Sequence, residues 1–182
     1  MNPRLLLVRL HLPSSVRRSI LRELIAAMAR AFDREMPPTL GLSSAELMSL
    51  AVESSRAWAE DAIRDAPDLA RLERRLFCEA ADLGRQARVR LRINTEVEGM
   101  AAARVIYRAI GIDFRSRRSA EVLISRCAFA RAYGPKVCRL MSSMDSGLIV
   151  GLTGALGMRF TQRLTDAAPA CRAVVLQPRG AS

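Results

Sequence analysis

The sequence predicts an α+β fold: a layer of four N-terminal helices packed on a small antiparallel sheet that one further helix interrupts. Three observations lead to it. Apolar residues recur every three or four positions as far as Gly111 and roughly every second position in several segments after it. The chain has 182 residues, enough for one domain across 1–182 and short for two. Half of the residues are apolar and 26% are charged, which permits a buried core and excludes wholesale disorder, collagen-like repetition and low complexity.

The helical part is expected over 14–111. Ser14 or Ser15 can cap a first helix whose positions Val16, Ile20, Leu21, Leu24, Ile25, Met28 and Phe32 share one face, until Pro37-Pro38 stops it. Ser43 with Glu46 fits a capping box, opening a second helix with an apolar stripe of Leu47, Leu50, Ala51, Ala57, Trp58 and Ile63. Pro67 suits the first turn of a third helix, which presents Leu69, Leu72, Leu76, Phe77 and Leu83 and weakens at Gly84. A fourth runs from about Thr95 to Ile110 and stops at Gly111, where a left-handed residue is needed.

The cysteine-bearing α+β part is expected over 112–178. Ile112–Arg115 and Glu121–Cys127 read as paired strands around a polar turn at Ser116–Ser119. A helix follows from Pro135 to about Leu152, with Val137, Leu140, Met141, Met144, Leu148 and Ile149 facing inward and two glycines near its end. Two more strands, Met158–Thr165 and Cys171–Gln177, are joined by the turn at Asp166–Ala170.

Formal net charge is +11, yet the reading is against a nucleic-acid partner. Of 29 basic residues only Lys136 is lysine, the arginines are spread along the chain, and aromatics make up 4% of it. Arginine stems can instead cover helix flanks. The longest apolar stretch near the C-terminus, Gly147–Met158, falls short of the roughly 20 residues that span a bilayer, so no membrane partner is expected either. The run Leu5–Val8 stops at Arg9 with no small-residue cleavage site behind it, so the expectation is a cytoplasmic protein with reduced thiols.

The residue inventory narrows the chemistry. His11 is the sole histidine, which leaves a Ser-His-Asp triad or a multi-histidine zinc site dependent on one residue near the N-terminus, more readily placed at the surface. No glycine-rich phosphate loop is present, so no nucleotide cofactor is expected. What remains is thiol, carboxylate and guanidinium chemistry. Cys78, Cys127, Cys138 and Cys171 form no C-x-x-C pair, and Cys78 beside Phe77 reads as a core residue. Cys138, Ser142 and Asp145 stand at i, i+4 and i+7 on the helix after Pro135, lining one stripe two turns long. Cys127 closes one strand and Cys171 opens another, so both converge on that stripe if the strands pair. Arg126, Arg131 and Arg139 would lower a thiol pKa if they face it.

The segment Glu121–Ala130, the helix carrying Cys138 to Asp145 with Gly147-Leu148, then Arg159-Phe-Thr-Gln162 and Cys171 together resemble the C-terminal signature of the L-2-amino-thiazoline-4-carboxylic acid hydrolase family. In that family an Arg-Cys with an aromatic-Ala after a strand is paired with a helical cysteine and aspartate. The position three residues before the aspartate, a cysteine there, is Ser142 here, with Cys138 one turn earlier. The resemblance implies hydrolysis at a C=N or C–N bond of a small carboxylate, without cofactor or metal. Cys127 or Cys138 would be the nucleophile, Asp145 the proton carrier and Ser142 the residue orienting water; Arg126 or Arg163 would hold the carboxylate, with Thr161 and Cys171 in the substrate wall. The cysteine-bearing hairpin is also similar to the 4-vinyl reductase domain, which implies a binding domain for a small molecule or for a soft metal on Cys127, Cys138 and Cys171. The outer faces of the N-terminal helices leave a lid, a homodimer surface or a plain scaffold open.

Overall fold

Caps decide where the helices begin. In the computed structural model, which describes residues 12–65, 68–116 and 120–178, helix α1 spans Ser14–Phe32, α2 Ser44–Asp65, α3 Leu69–Leu91 and α4 Glu96–Ala109. The capping box at α2 forms as the spacing implies: the Ser43 amide donates to Glu46 at 2.8 Å and the Glu46 amide to Ser43 Oγ at 3.3 Å. Thr95 and Glu98 build the same device at α4. At α1 neither serine caps; Pro13 holds that position and no side chain closes the turn. His11, Pro67 and residues 117–119 of the polar turn lie outside the described residues. Among the described residues no helix is long and apolar enough to cross a membrane.

Gly111 ends α4 at φ +75° and turns the chain into β1, Ile112–Ser116. Then come β2 (Glu121–Cys127), helix α5 (Pro135–Thr153), β3 (Gly157–Gln162) and β4 (Cys171–Leu176). The four strands are antiparallel in the order β1-β2-β4-β3, so the two hairpins join through β2 and β4, with Ile124 opposite Cys171. β3 stops at Gln162, short of the expected Thr165, because Leu164–Asp166 winds into a 3-10 turn. One sheet face is buried, through Ile112, Phe114, Val122, Ile124, Ala173 and Val175, and belongs to the same hydrophobic core as the helices.

Helix α5 is the centre of that core. The glycines that weaken a helix in isolation are what let its neighbours approach. A Cβ on Gly147 would lie 2.1 Å from the Phe77 carbonyl oxygen, and one on Gly151 2.2 Å from that of Ala81. Gly84 on α3 is equally tight, 2.7 Å from the Leu148 carbonyl oxygen, so α3 does not fray there but continues to Leu91. The buried face of α2 is Leu47, Ala51, Ser55 and Ala59, a four-residue spacing that includes a serine and leaves Ala57 outside. Ser55 tolerates burial because its hydroxyl meets the Ala51 carbonyl and the Tyr133 hydroxyl.

Candidate functional site

Asp145 sits on α5 two residues before Gly147, where α5 and α3 touch. It borders a cavity of about 90 Å³ whose wall also includes Cys127, Cys138, Ser142, Phe129 and Tyr133. The rest of the wall is aliphatic or methionine, so the aspartate is the one acid there. Tyr107 of α4 donates its hydroxyl to Asp145 Oδ1 at 2.9 Å, and its own ring stacks on Phe114 of β1 at 4.5 Å. Burial pushes the Asp145 carboxyl up to about 6, against the pull of the Tyr107 hydrogen bond and the Arg163 charge. A carboxyl poised there exchanges its proton near neutral pH.

The thiols are shifted in the same direction. Burial raises Cys127 to about 12, although the backbone amides of Phe129 and Ala130 favour its thiolate. Cys138 and Cys171 are raised as well, burial again being the main cause and the Asp145 charge a contributor. The arginines expected to activate them do not: Arg126 and Arg131 are exposed, and Arg139 pairs with Asp166 at 3.1 Å. All three cavity-region cysteines therefore rest as protonated thiols, and Asp145 is the base available to them. Cys171 stands behind the cavity wall, its Sγ accepting from the Leu164 amide at 3.3 Å.

Ser142 links this cavity to the outside. Its hydroxyl donates to the Cys138 carbonyl at 2.6 Å and faces Arg163 Nε at 3.4 Å, and Arg163 also lies 4.9 Å above the Phe160 ring. On the far side, Ser142 and Arg163 border an open cleft of about 740 Å³ between α3, α5 and β3 that also holds Arg74, Arg139 and Arg159. The cleft therefore presents several guanidinium groups beside the cavity wall.

Of the residues singled out in the sequence, Cys127, Cys138, Ser142 and Asp145 share one cavity, with Cys171 and Arg163 beside it. Arg126 and Thr161 are elsewhere: Arg126 points from the end of β2 to a different cleft, and exposed Thr161 donates to the Arg172 carbonyl on the sheet. Cys78 is exposed, not in the core, and borders the open cleft beside α3, because the helix buries Leu72, Leu76 and Ala80 instead. Among the described residues no three His, Cys, Asp or Glu side chains are gathered closely enough to hold a metal ion.

Sequence reasoning missed Tyr107 and Tyr133. Both had a signal, since they are the chain's two tyrosines and a buried phenol requires a polar partner. Comparison with protein-family models, with curated proteins and with solved structures gives no match for this chain.

The thiol environments make a direct prediction. With a disulfide-exchange reagent at pH 8, exposed Cys78 reacts first, and the other three react much more slowly until the protein is unfolded in urea. A Cys78→Ser variant then shows almost no fast phase. A second fast thiol assigned to Cys127 would contradict the burial described above.

Proposed function

We propose that the chain is a small-molecule hydrolase acting at a C=N or C–N carbon of a small carboxylate. The observation that carries this reading is a lone half-buried carboxyl, Asp145, raised to about 6 and sharing a mostly apolar cavity with two thiols. The resemblance to the L-2-amino-thiazoline-4-carboxylic acid hydrolase family points the same way. In this reading Arg163, at the boundary between cavity and outer cleft, pairs with the substrate carboxylate and leaves the electrophilic carbon inside.

Because the thiols rest protonated, attack needs a base at the moment of bond formation. As the sulfur of Cys127 or Cys138 forms its bond to carbon, Asp145 takes the thiol proton and the C=N electron pair moves to nitrogen. Asp145 returns that proton to nitrogen; a second nitrogen on the same carbon then gives up a proton, which Asp145 passes to the departing nitrogen, and its electron pair forms a new C=N as the old C–N bond breaks and the amine leaves. Water, deprotonated by Asp145, then adds to the carbon bound to sulfur, and the C–S bond breaks as the thiol regains its proton. The sum is addition of one water and release of one amine. The raised pKa of Asp145 suits both directions of transfer.

The test is a turnover screen of small C=N carboxylates, L-2-amino-thiazoline-4-carboxylate included, with wild type and the Asp145→Asn, Cys127→Ser, Cys138→Ser and Arg163→Gln variants. Loss of the proton carrier lowers kcat by about 10²–10⁴-fold. Arg163→Gln acts mainly on KM. If the Asp145, Cys127 and Cys138 variants all turn over like wild type, the hydrolase reading fails. A binding domain of the 4-vinyl reductase kind is the second reading, favoured by the protonated resting thiols; it predicts retained ligand affinity in Asp145→Asn with no turnover in any protein tested.

A further inference from the structure

A second cleft, of about 660 Å³, lies between α4 and β1, away from Asp145. Four arginines border it: Arg104 and Arg108 from α4, Arg115 from β1 and Arg126 from the end of β2. The fold places them there for separate reasons. Arg104 and Arg108 are one helical turn apart and share a face. Arg115 is on the unburied side of β1. A β-bulge after Asp113 sets Ser125 outside the regular register, so that Arg126 stands opposite Asp113. Bulges of this kind re-aim side chains.

The single acid in the cleft is already occupied. Asp113 Oδ2 accepts from Ser125 Oγ at 2.6 Å and from Arg115 Nη2 at 3.2 Å, and these hydrogen bonds hold its carboxyl below the usual range. Asp113 therefore offsets part of the charge of Arg115 and of Arg126, which stands opposite it, and one carboxylate among the residues that border the cleft faces four guanidinium groups. Arg104 gives one hydrogen bond to the Ser116 hydroxyl at 3.3 Å, and both residues border the cleft. β1 is the edge of the sheet, and among the described residues no strand pairs with its outer side.

We propose that this cleft binds the phosphoryl group of a small molecule. Guanidinium groups arriving from a helix and two strands offer more donors, in more directions, than a planar carboxylate can accept, and suit a tetrahedral dianion. The volume is in the range of small-ligand clefts, about 300–1,000 Å³. The aromatic ring at the cleft, Phe114, is buried, so recognition runs through the oxyanion and not through stacking on a base. Arg126, singled out in the sequence for the thiol site, finds its role here.

The test is calorimetric titration of the full chain with inorganic pyrophosphate and with inorganic phosphate at fixed ionic strength. One saturable site is expected, weakened about tenfold by Arg104→Gln and by Arg126→Gln, the effect of losing one charge-assisted hydrogen bond. Arg56→Gln, which removes the same charge from an exposed pair on α2, leaves affinity unchanged, as does Asp145→Asn. The site is independent of the hydrolase reading, and the Asp145→Asn arm keeps the two apart. Equal weakening by Arg56→Gln would mean a diffuse basic surface and overturn the proposal. So would absence of saturable binding at millimolar pyrophosphate, or binding of an oligo-glutamate peptide in its place, which would make the β1 edge a protein-docking strand.

Discussion

Asp145→Asn is expected to make the protein more stable at neutral pH while removing the proton carrier of the cavity. The carboxyl is raised from 3.8 to about 6 by burial, so the folded state holds its proton more tightly than the unfolded chain does. For an acid shifted upward the sign is fixed: stability is greatest below the unfolded pKa, falls as pH rises through the window from about 4 to 6, and stays at the lower level above it. A shift of that size corresponds to about 3 kcal/mol. Asparagine keeps an acceptor for the Tyr107 hydroxyl but carries no charge to desolvate, so the variant lacks this loss. The measurement is urea unfolding of both proteins from pH 4 to pH 8. Their difference isolates the site, because the other groups around the cavity, Tyr107, Tyr133, Cys127, Cys138 and Cys171, are all raised and stay protonated in that window. Glu23, Glu46 and Asp113 are lowered and contribute the opposite slope, but equally to both proteins. Parallel curves for wild type and variant would show that Asp145 is not desolvated as described. A gain in stability on removing a buried charge is the usual mark of a residue kept for function.

Gly147→Val and Gly151→Val are expected to cost more than any surface change, about 3 kcal/mol or more each, and to unfold the protein at moderate temperature. The reason is backbone and not side chain. The atoms that an added Cβ would meet, the carbonyl oxygens of Phe77 and Ala81, belong to α3 and cannot rotate away. The helices would have to separate, opening the contact between α3 and α5 along its length and shifting the flank of α5 that carries Ser142 and Asp145. Gly134→Ser is the control. Nothing lies within 4 Å of a Cβ there, and it is the N-cap of α5, where serine is favoured, so stability is unchanged or slightly raised. Thermal unfolding followed by circular dichroism separates the cases; a valine at Gly147 with an unaltered Tm would mean that the two helices do not touch there.

Much of the fold could be read locally because its signals are local. Capping boxes at Ser43/Glu46 and Thr95/Glu98, the glycine at the end of α4 and the change of apolar period after Gly111 each act over a few residues. The stripe Cys138, Ser142, Asp145 follows from helical geometry alone. Where reasoning went astray, a distant neighbour was the cause. Gly84 ends no helix because α5 fills the space beside it, and Ser55 is buried because Tyr133 reaches it. Cys78 is exposed because the buried face of α3 is set by Leu72, Leu76 and Ala80.

By itself, then, the sequence determined the order and type of the elements, the turn residues between them, and which thiols and acid lie on one helix face or at strand ends. The tertiary structure decided which of those groups meet. Pairing of β2 with β4 brings Cys127 and Cys171 to one end of the sheet, the bulge in the β1–β2 hairpin accompanies Arg126 at a separate cleft, and Tyr107 arrives on Asp145 from another helix. Protonation belongs to the same level, because it depends on how much water the assembled walls exclude, and no spacing along the chain encodes that.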